Sequence, residues 1–124
     1  MENKKIYTIN EISKIAKPVF EKYNIEKAYI FGSYARGEAT KNSDIDIMTV
    51  GEKNNSETYG GLFEDLKEVL NKEIDIIKEE LYTNPKIQII TTIDKEIRKH
   101  EIKQYKVICK ERILIYDRKF KTTE

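Results

Sequence analysis

This chain of 124 residues contains a Gly-Ser pair and, after a spacer of ten residues, an Asp-x-Asp triplet. The combination limits the folds that the chain can adopt more than any other part of the sequence. Gly32 and Ser33 follow the apolar residues 28–31, and such a break is typical of a strand that ends in a turn. Glycine lets the backbone approach an anion closely, and exposed N–H groups and the Ser33 hydroxyl donate hydrogen bonds to it. The turn is therefore a candidate phosphate-binding site.

The triplet contributes two aspartates, Asp44 and Asp46, to an apolar, β-branched run that continues through Val50 and predicts a second strand. Alternate residues of a strand point to one face, so we expect both carboxylates on the same face of the sheet. Asp75 lies between isoleucines and predicts a third carboxylate on a strand over residues 73–78. Carboxylates that repel one another favour a cation between them, and Mg²⁺ commonly takes one or two carboxylates together with substrate phosphate oxygens.

These motifs together resemble the nucleotidyltransferase superfamily named after DNA polymerase beta, with its Gly-Ser, spacer, Asp-x-Asp and later acidic residue. The ten-residue spacer is that of its smallest branch, the minimal nucleotidyltransferase (MNT) domains, and the segments FGSYARG (31–37) and SDID (43–46) both fit. The resemblance covers about residues 8–80 well and the tail poorly. It implies an α+β fold in which helices pack on a small mixed β-sheet.

The same resemblance implies a metal-dependent transfer reaction with ATP as substrate and Mg²⁺ as cofactor. The residues it implies for catalysis and metal binding are Asp44, Asp46 and Asp75. Those it implies for nucleotide binding are Gly32, Ser33, Arg36 and Ser43. From the residues themselves, a salt bridge between Arg36 and Glu38 is an alternative for Arg36, and Ser43 is placed to orient its loop or the Asp44 carboxylate.

Many MNT domains are encoded beside a HEPN-domain protein, and in toxin–antitoxin pairs the MNT protein is the antitoxin. The resemblance therefore implies a HEPN-type toxin as partner and transfer of AMP from ATP to one of its tyrosines. Two other functions stay open at this point. The first is nucleotidyl transfer to a small molecule such as an aminoglycoside, and the second is a non-catalytic module that neutralises a toxin by contact.

The charge balance gives no bulk electrostatic case for nucleic-acid binding, because 23 Lys and Arg residues oppose 22 Asp and Glu residues for a net charge of +1. No run reaches membrane-spanning length and the N-terminus lacks the apolar core of a signal peptide, so we expect a cytoplasmic protein. The length predicts one domain over residues 1–124. The single cysteine, Cys109, is expected to be a buried small hydrophobe, and His100 to be solvated.

Apolar periodicity predicts the elements around the motifs. A helix over residues 8–23 is expected to start at a Thr8–Glu11 capping box and to be kinked or shortened at Pro18. Strand Lys27–Phe31 and a short helical segment over 32–37 follow. An exposed loop over 51–58, a helix over 59–71 and the strand over 73–78 complete the part that resembles the family. From residue 84 a helical tail, one long helix or two, is favoured over a strand, and residues after Asp117 are expected to fray.

Overall fold

The computed structural model describes residues 5–51, 56–83 and 95–120 of the chain. Four strands lie in these residues, namely β1 (Lys27–Phe31), β2 (Ile45–Val50), β3 (Ile74–Lys78) and β4 (Ile113–Asp117). The helices of the same residues are α1 (Ile9–Lys22), α2 (Gly32–Arg36), α3 (Ser56–Leu70), α4 (Glu80–Thr83) and α5 (Lys95–Glu111), and a 3₁₀ turn (Arg118–Phe120) follows β4. No helix in this part of the chain has the length and apolarity that crossing a membrane requires.

The strands form one mixed sheet in the order β3-β2-β1-β4. β1 is antiparallel to both of its neighbours, whereas β2 and β3 are parallel and α3 lies between them in the chain. A parallel pair needs such a crossover, because its second strand must start at the same end of the sheet as the first. The predicted α+β architecture with a small mixed sheet is confirmed.

The core lies between α1, α3 and one face of the sheet. Its buried members include Ile12, Ala16 and Phe20 of α1, Leu62, Leu66 and Leu70 of α3, and Ile30, Ile45, Ile47 and Ile76 of the strands. Since side chains alternate along a strand, burial of Ile45 and Ile47 on this face turns Asp46 to the opposite face. Core packing on one side of the sheet thus orients the acidic side chain on the other.

Helix α1 starts as predicted. The Thr8 hydroxyl accepts a hydrogen bond from the Glu11 amide at 3.0 Å, and the Thr8 amide donates to the Glu11 carboxylate at 2.8 Å, which completes the capping box. The helix continues past Pro18 to Lys22, which excludes a shortened helix; of the two alternatives expected at Pro18, the kink stays a prediction. Strand β1 has the predicted bounds.

Two expectations about the rest of the chain are corrected, and a third is confirmed only for the residues that the structure describes. Helix α3 begins at Ser56, inside the predicted loop. Its first residues are polar, so apolar periodicity could not reveal where the helix starts. Helix α5 confirms the helical tail over Lys95–Glu111, whereas the expected helix start at residues 84–85 and the His100 side chain lie outside the described residues. The expected burial of Cys109 is wrong, since the residue is only partly buried.

The segment after helix α5 differs most from the expectation. It forms β4 on the edge of the sheet, paired with β1 from Lys27–Asp117 to Ile30–Ile113. Residues immediately after Asp117 do not fray, because the Arg118 amide donates to the Glu26 carbonyl at 2.9 Å and its guanidinium donates to the Asn24 side chain at 2.9 Å. The structure describes no residue beyond 120.

Candidate active site

The Gly32 turn connects β1 to α2 and lies directly against Asp46. Gly32 has φ +73°, and a Cβ added there would lie 2.1 Å from Oδ2 of Asp46. The pairing of Phe31 with Asp46 in adjacent strands explains this approach, because it brings the carboxylate of β2 to the end of β1. Only glycine allows both the positive φ and the close approach. The two halves of the sequence motif therefore meet at one end of β1 and β2.

Helix α2 holds the turn in a fixed conformation. Gly37 ends it in the left-handed conformation with φ 74°, and the buried Tyr34 anchors it to the core. The Glu38 amide donates to the Ser33 carbonyl at 2.9 Å, which closes the segment behind the turn. Ser33 itself is partly exposed. The predicted short helical segment is confirmed.

The three predicted carboxylates lie around the same end of the sheet. Asp46 and Asp75 occupy paired positions of the parallel strands β2 and β3. Asp44 precedes β2 by one residue and is exposed, whereas Asp46 is partly buried and Asp75 is exposed on β3. Burial, together with the charges of Asp75 and then Asp44, raises the pKa of Asp46 to about 6. Ionised Asp46 is therefore destabilised by its surroundings.

A divalent cation would relieve this repulsion, but the carboxylates do not form a complete cage for one. Among the described residues, no group of three or more His, Cys, Asp or Glu side chains is close enough to hold a metal ion. Asp75 and Asp44 are nevertheless near enough to Asp46 for their charges to raise its pKa. These carboxylates are candidate ligands for Mg²⁺, which takes one or two carboxylates and completes its shell with water and substrate oxygens.

The donors of the Gly32 turn bind a carboxylate that the sequence did not single out. The Gly32 amide donates to Oε2 of Glu111 at 2.7 Å, and Nη1 of Arg36 donates to the same oxygen at 2.8 Å. Glu111 is the last residue of α5, and its side chain is only 15% exposed. Nε of Arg36 meanwhile pairs with Oε1 of Glu38 at 2.8 Å, so the alternative weighed for Arg36 is present in the structure.

Comparison with known proteins decides the family. Residues 13–121 match the family described as Polymerase beta, Nucleotidyltransferase. The chain belongs to this family. It is 36% identical over 88 residues to a Methanocaldococcus jannaschii protein named "Putative protein adenylyltransferase MJ1379", a match that covers 65% of this chain and 88% of that protein. A second protein of that organism, "Putative protein adenylyltransferase MJ0435", is 43% identical over 70 residues, covering 56% of this chain and 75% of that one.

Solved structures agree on the fold of this nucleotidyltransferase. A crystal structure of a mutant of the toxin–antitoxin MntA-HpeT has a TM-score of 0.56 at 13% identity, covering 85% of this chain and 72% of that one. The "Structure of putative minimal nucleotidyltransferase" has a TM-score of 0.52 at 20% identity, covering 82% of this chain and 86% of that one. At these identities the likeness concerns the fold, and it confirms the predicted polymerase beta-like architecture.

The remaining predicted residue of the nucleotidyltransferase, Ser43, bonds within its own loop. The Thr40 amide donates to its hydroxyl at 2.8 Å, and the Ser43 amide donates to the Thr40 carbonyl at 3.0 Å. Ser43 therefore orients the loop before Asp44, and its contact with a nucleotide stays a prediction. The same loop contacts Lys72, a lysine that is only 8% exposed and that the sequence did not indicate, through a hydrogen bond of 3.1 Å to the Lys41 carbonyl.

Glu111 could not be found from the sequence, because its place in the site depends on tertiary structure. Its contact with Gly32 joins residues 79 positions apart, and in the sequence it stands in a charged helical run where a glutamate is ordinary. Only the packing of the end of α5 against α2 brings it to the turn. The spacing of residues in the sequence does not predict this contact.

Proposed function

We propose that this nucleotidyltransferase moves AMP from ATP to a hydroxyl group of a partner protein, a tyrosine of a HEPN-type toxin, and so acts as an antitoxin in the cytoplasm. The observation that carries the proposal is the direct contact of the Gly32 turn with Asp46, with Asp75 paired beside it. A phosphate-binding turn and acidic side chains at one end of the sheet are the parts that nucleotidyl transfer needs.

Each residue receives a role from its position. The Gly32 amide and the Arg36 guanidinium bind phosphate oxygens, and the partly exposed Ser33 adds a hydroxyl donor. Asp44, Asp46 and Asp75 would supply carboxylate ligands to Mg²⁺ once the nucleotide adds its phosphate oxygens, and the ion would then neutralise the negative charge of the displacement. Ser43 keeps the loop that carries Asp44 in place.

In the transfer step one bond to the α-phosphorus forms, one breaks, and Asp75 accepts the proton. The acceptor hydroxyl oxygen attacks the α-phosphorus, the bond from that phosphorus to the β-bridging oxygen breaks, and pyrophosphate leaves. The hydroxyl proton passes to Asp75, which is exposed on β3 and therefore open to an acceptor that arrives from outside the chain. Gly32 and Arg36 act on the triphosphate, and Asp75 acts on the acceptor.

A protein acceptor is supported by the names of the relatives at 36% and 43% identity, which are protein adenylyltransferases. The choice of a HEPN-type toxin rests on the MNT motif spacing. The proposal includes a single MNT domain over residues 1–124 and an acceptor tyrosine that reaches the exposed edge of the sheet near Asp75. It includes no nucleic-acid substrate, in keeping with the net charge of +1.

The test uses the protein together with the protein that the neighbouring gene encodes. With ATP labelled at the α-phosphate, we expect label on a tyrosine of that neighbour, and with γ-labelled ATP we expect none. Asp44→Asn should abolish labelling and toxin neutralisation while the complex persists, because the substitution removes a charge at almost constant shape.

Two results would contradict the proposal and favour a stated alternative. Transfer of label to an aminoglycoside without any protein partner would make the acceptor a small molecule. Neutralisation that Asp44→Asn leaves unchanged would make the domain a binding module. The tyrosine would be located by peptide mass spectrometry, since an added AMP group has a defined mass.

A further inference from the structure

The contact between Glu111 and the Gly32 turn has the form of a bound ligand. One oxygen, Oε2, accepts hydrogen bonds from both the Gly32 amide at 2.7 Å and Nη1 of Arg36 at 2.8 Å. We call these two donors the anion site. A non-bridging phosphate oxygen accepts the same pair of bonds, since amide and guanidinium donors bind carboxylate and phosphate oxygens alike.

We propose that Glu111 is an intramolecular competitor that occupies the anion site in the nucleotide-free protein, and that the triphosphate displaces it. This inference rests on the proposed function, because it assigns the anion site to the triphosphate. Glu111 then sets the affinity for nucleotide without contacting it. The apparent dissociation constant is the intrinsic one divided by the fraction of molecules whose site is open.

The charges of the site prevent Glu111 and a triphosphate from sharing it. Glu111 is a carboxylate with 15% of its side chain exposed, and its charge already acts on Asp46, whose own surroundings include Asp75 and Asp44. A triphosphate adds several negative charges at the same place, and like charges in a partly buried site repel strongly. The amide of Gly32 has one hydrogen to donate, so one anion excludes the other.

The neighbouring contacts allow the exchange without movement of the helix. Arg112, the next residue, forms an ion pair with Glu79, and its guanidinium carbon lies 4.1 Å from the centroid of the Tyr29 ring. These contacts fix the chain at the end of α5, so Glu111 leaves by rotation about its own side-chain bonds. Arg36 stays oriented meanwhile, because its Nε is held by Glu38.

The test compares Glu111→Gln with Glu38→Gln in the otherwise unchanged chain. Both carboxylates pair with Arg36, but only Glu111 also contacts the Gly32 amide, which makes Glu38 the matched control. Glutamine keeps the size of the side chain and removes its charge. We expect Glu111→Gln to bind ATP with Mg²⁺ about tenfold more tightly in calorimetry, and Glu38→Gln to change affinity by less than about twofold.

A second variant, Glu111→Asp, and a second measurement, the amide resonance of Gly32, test the same competition independently. Glu111→Asp keeps the charge but is one methylene too short for both bonds, and it should also tighten binding. The amide resonance of Gly32 reports the contact directly. It should move when ATP is added to the wild type, and in Glu111→Gln it should already be shifted before ATP is added.

The outcomes separate this inference from the proposed function. Weaker ATP binding by Glu111→Gln would show that Glu111 positions the turn for nucleotide, and unchanged binding would show that it does not compete; either result overturns the inference alone. Failure of the wild type and every variant to bind ATP would refute the proposed function and this inference with it. Tighter binding in both Glu111 variants but not in Glu38→Gln supports it.

Discussion

Asp46→Asn should stabilise the metal-free protein while it abolishes transfer. Folding partly buries this carboxylate beside Asp75 and Asp44, and its pKa rises from 3.8 to about 6. The ionised form is therefore less favourable in the folded chain than in the unfolded chain. Asparagine has nearly the same shape and no charge, so it removes the repulsion without opening a cavity.

The magnitude follows from the pKa shift. A shift of one pKa unit corresponds to about 1.4 kcal/mol, so the rise of Asp46 sets an upper value of roughly 3 kcal/mol for the cost of its charge at neutral pH. The carboxylate is only partly buried, and solvent screening reduces that value to about 1 to 2 kcal/mol. For a chain of this size the melting temperature should then rise by about 4 to 8 °C.

The stability gain of Asp46→Asn should depend on pH, and this dependence identifies the charge of Asp46 as its cause. Well below pH 3.8 the carboxyl group is protonated in both the folded and the unfolded state, so its charge costs nothing there. As the pH rises towards about 6, the unfolded chain ionises first and the folded protein loses stability relative to it. The advantage of Asp46→Asn should therefore be small at pH 4, grow through this window and level off above it.

Thermal and urea unfolding in buffer with EDTA measure the effect at pH 4 and at pH 7.5. Asp44→Asn is the matched control, because that aspartate is exposed and should change stability much less. An Asp46→Asn variant no more stable than wild type at pH 7.5 would show that the charge of Asp46 does not destabilise the folded protein. So would an advantage of equal size at both pH values.

Three further predictions concern the turn and the helix before it. Ser33→Ala and Arg36→Ala should lower turnover more than they lower the melting temperature, with Arg36 the larger because its bonds are charge-assisted; equal losses of both would make these residues structural. Gly32→Ala should abolish ATP binding and lower the melting temperature, since its Cβ would meet Asp46 and its φ is positive; wild-type binding by this variant would place the nucleotide elsewhere. Thr8→Ala should lower the free energy of unfolding in urea by about 1 kcal/mol by removing the cap of α1, and an unchanged value would mean that the capping box adds nothing to stability.

Local patterns were enough to predict the elements that carry the motif. The bounds of Lys27–Phe31 follow from an apolar run that a glycine ends, and the start of α1 follows from a capping box within four consecutive residues. Both signals lie within a few residues of the feature they specify. The sheet position of Asp46 follows in the same way, from alternation with Ile45 and Ile47.

Contacts between distant segments could not be predicted from the sequence. Strand β4 is an apolar run in which exposed and buried residues do not alternate. Its first two residues are exposed and the next two are buried, because the register of its pairing with β1 shifts between Ala28 and Tyr29. Glu111 is placed by the packing of α5 rather than by any local preference. The short distance from Gly32 to Asp46 also needs the strand register, although the motif spacing pointed to it.

Calorimetric titration of ATP into the wild type, Asp46→Asn and Gly32→Ala, each with and without Mg²⁺, measures whether the Gly32 turn and the carboxylate of Asp46 form one nucleotide site. We expect Mg²⁺-dependent binding by the wild type, binding that no longer responds to Mg²⁺ in Asp46→Asn, and no binding in Gly32→Ala. Binding of ATP by all three proteins with equal affinity, whether or not Mg²⁺ is present, would contradict this expectation.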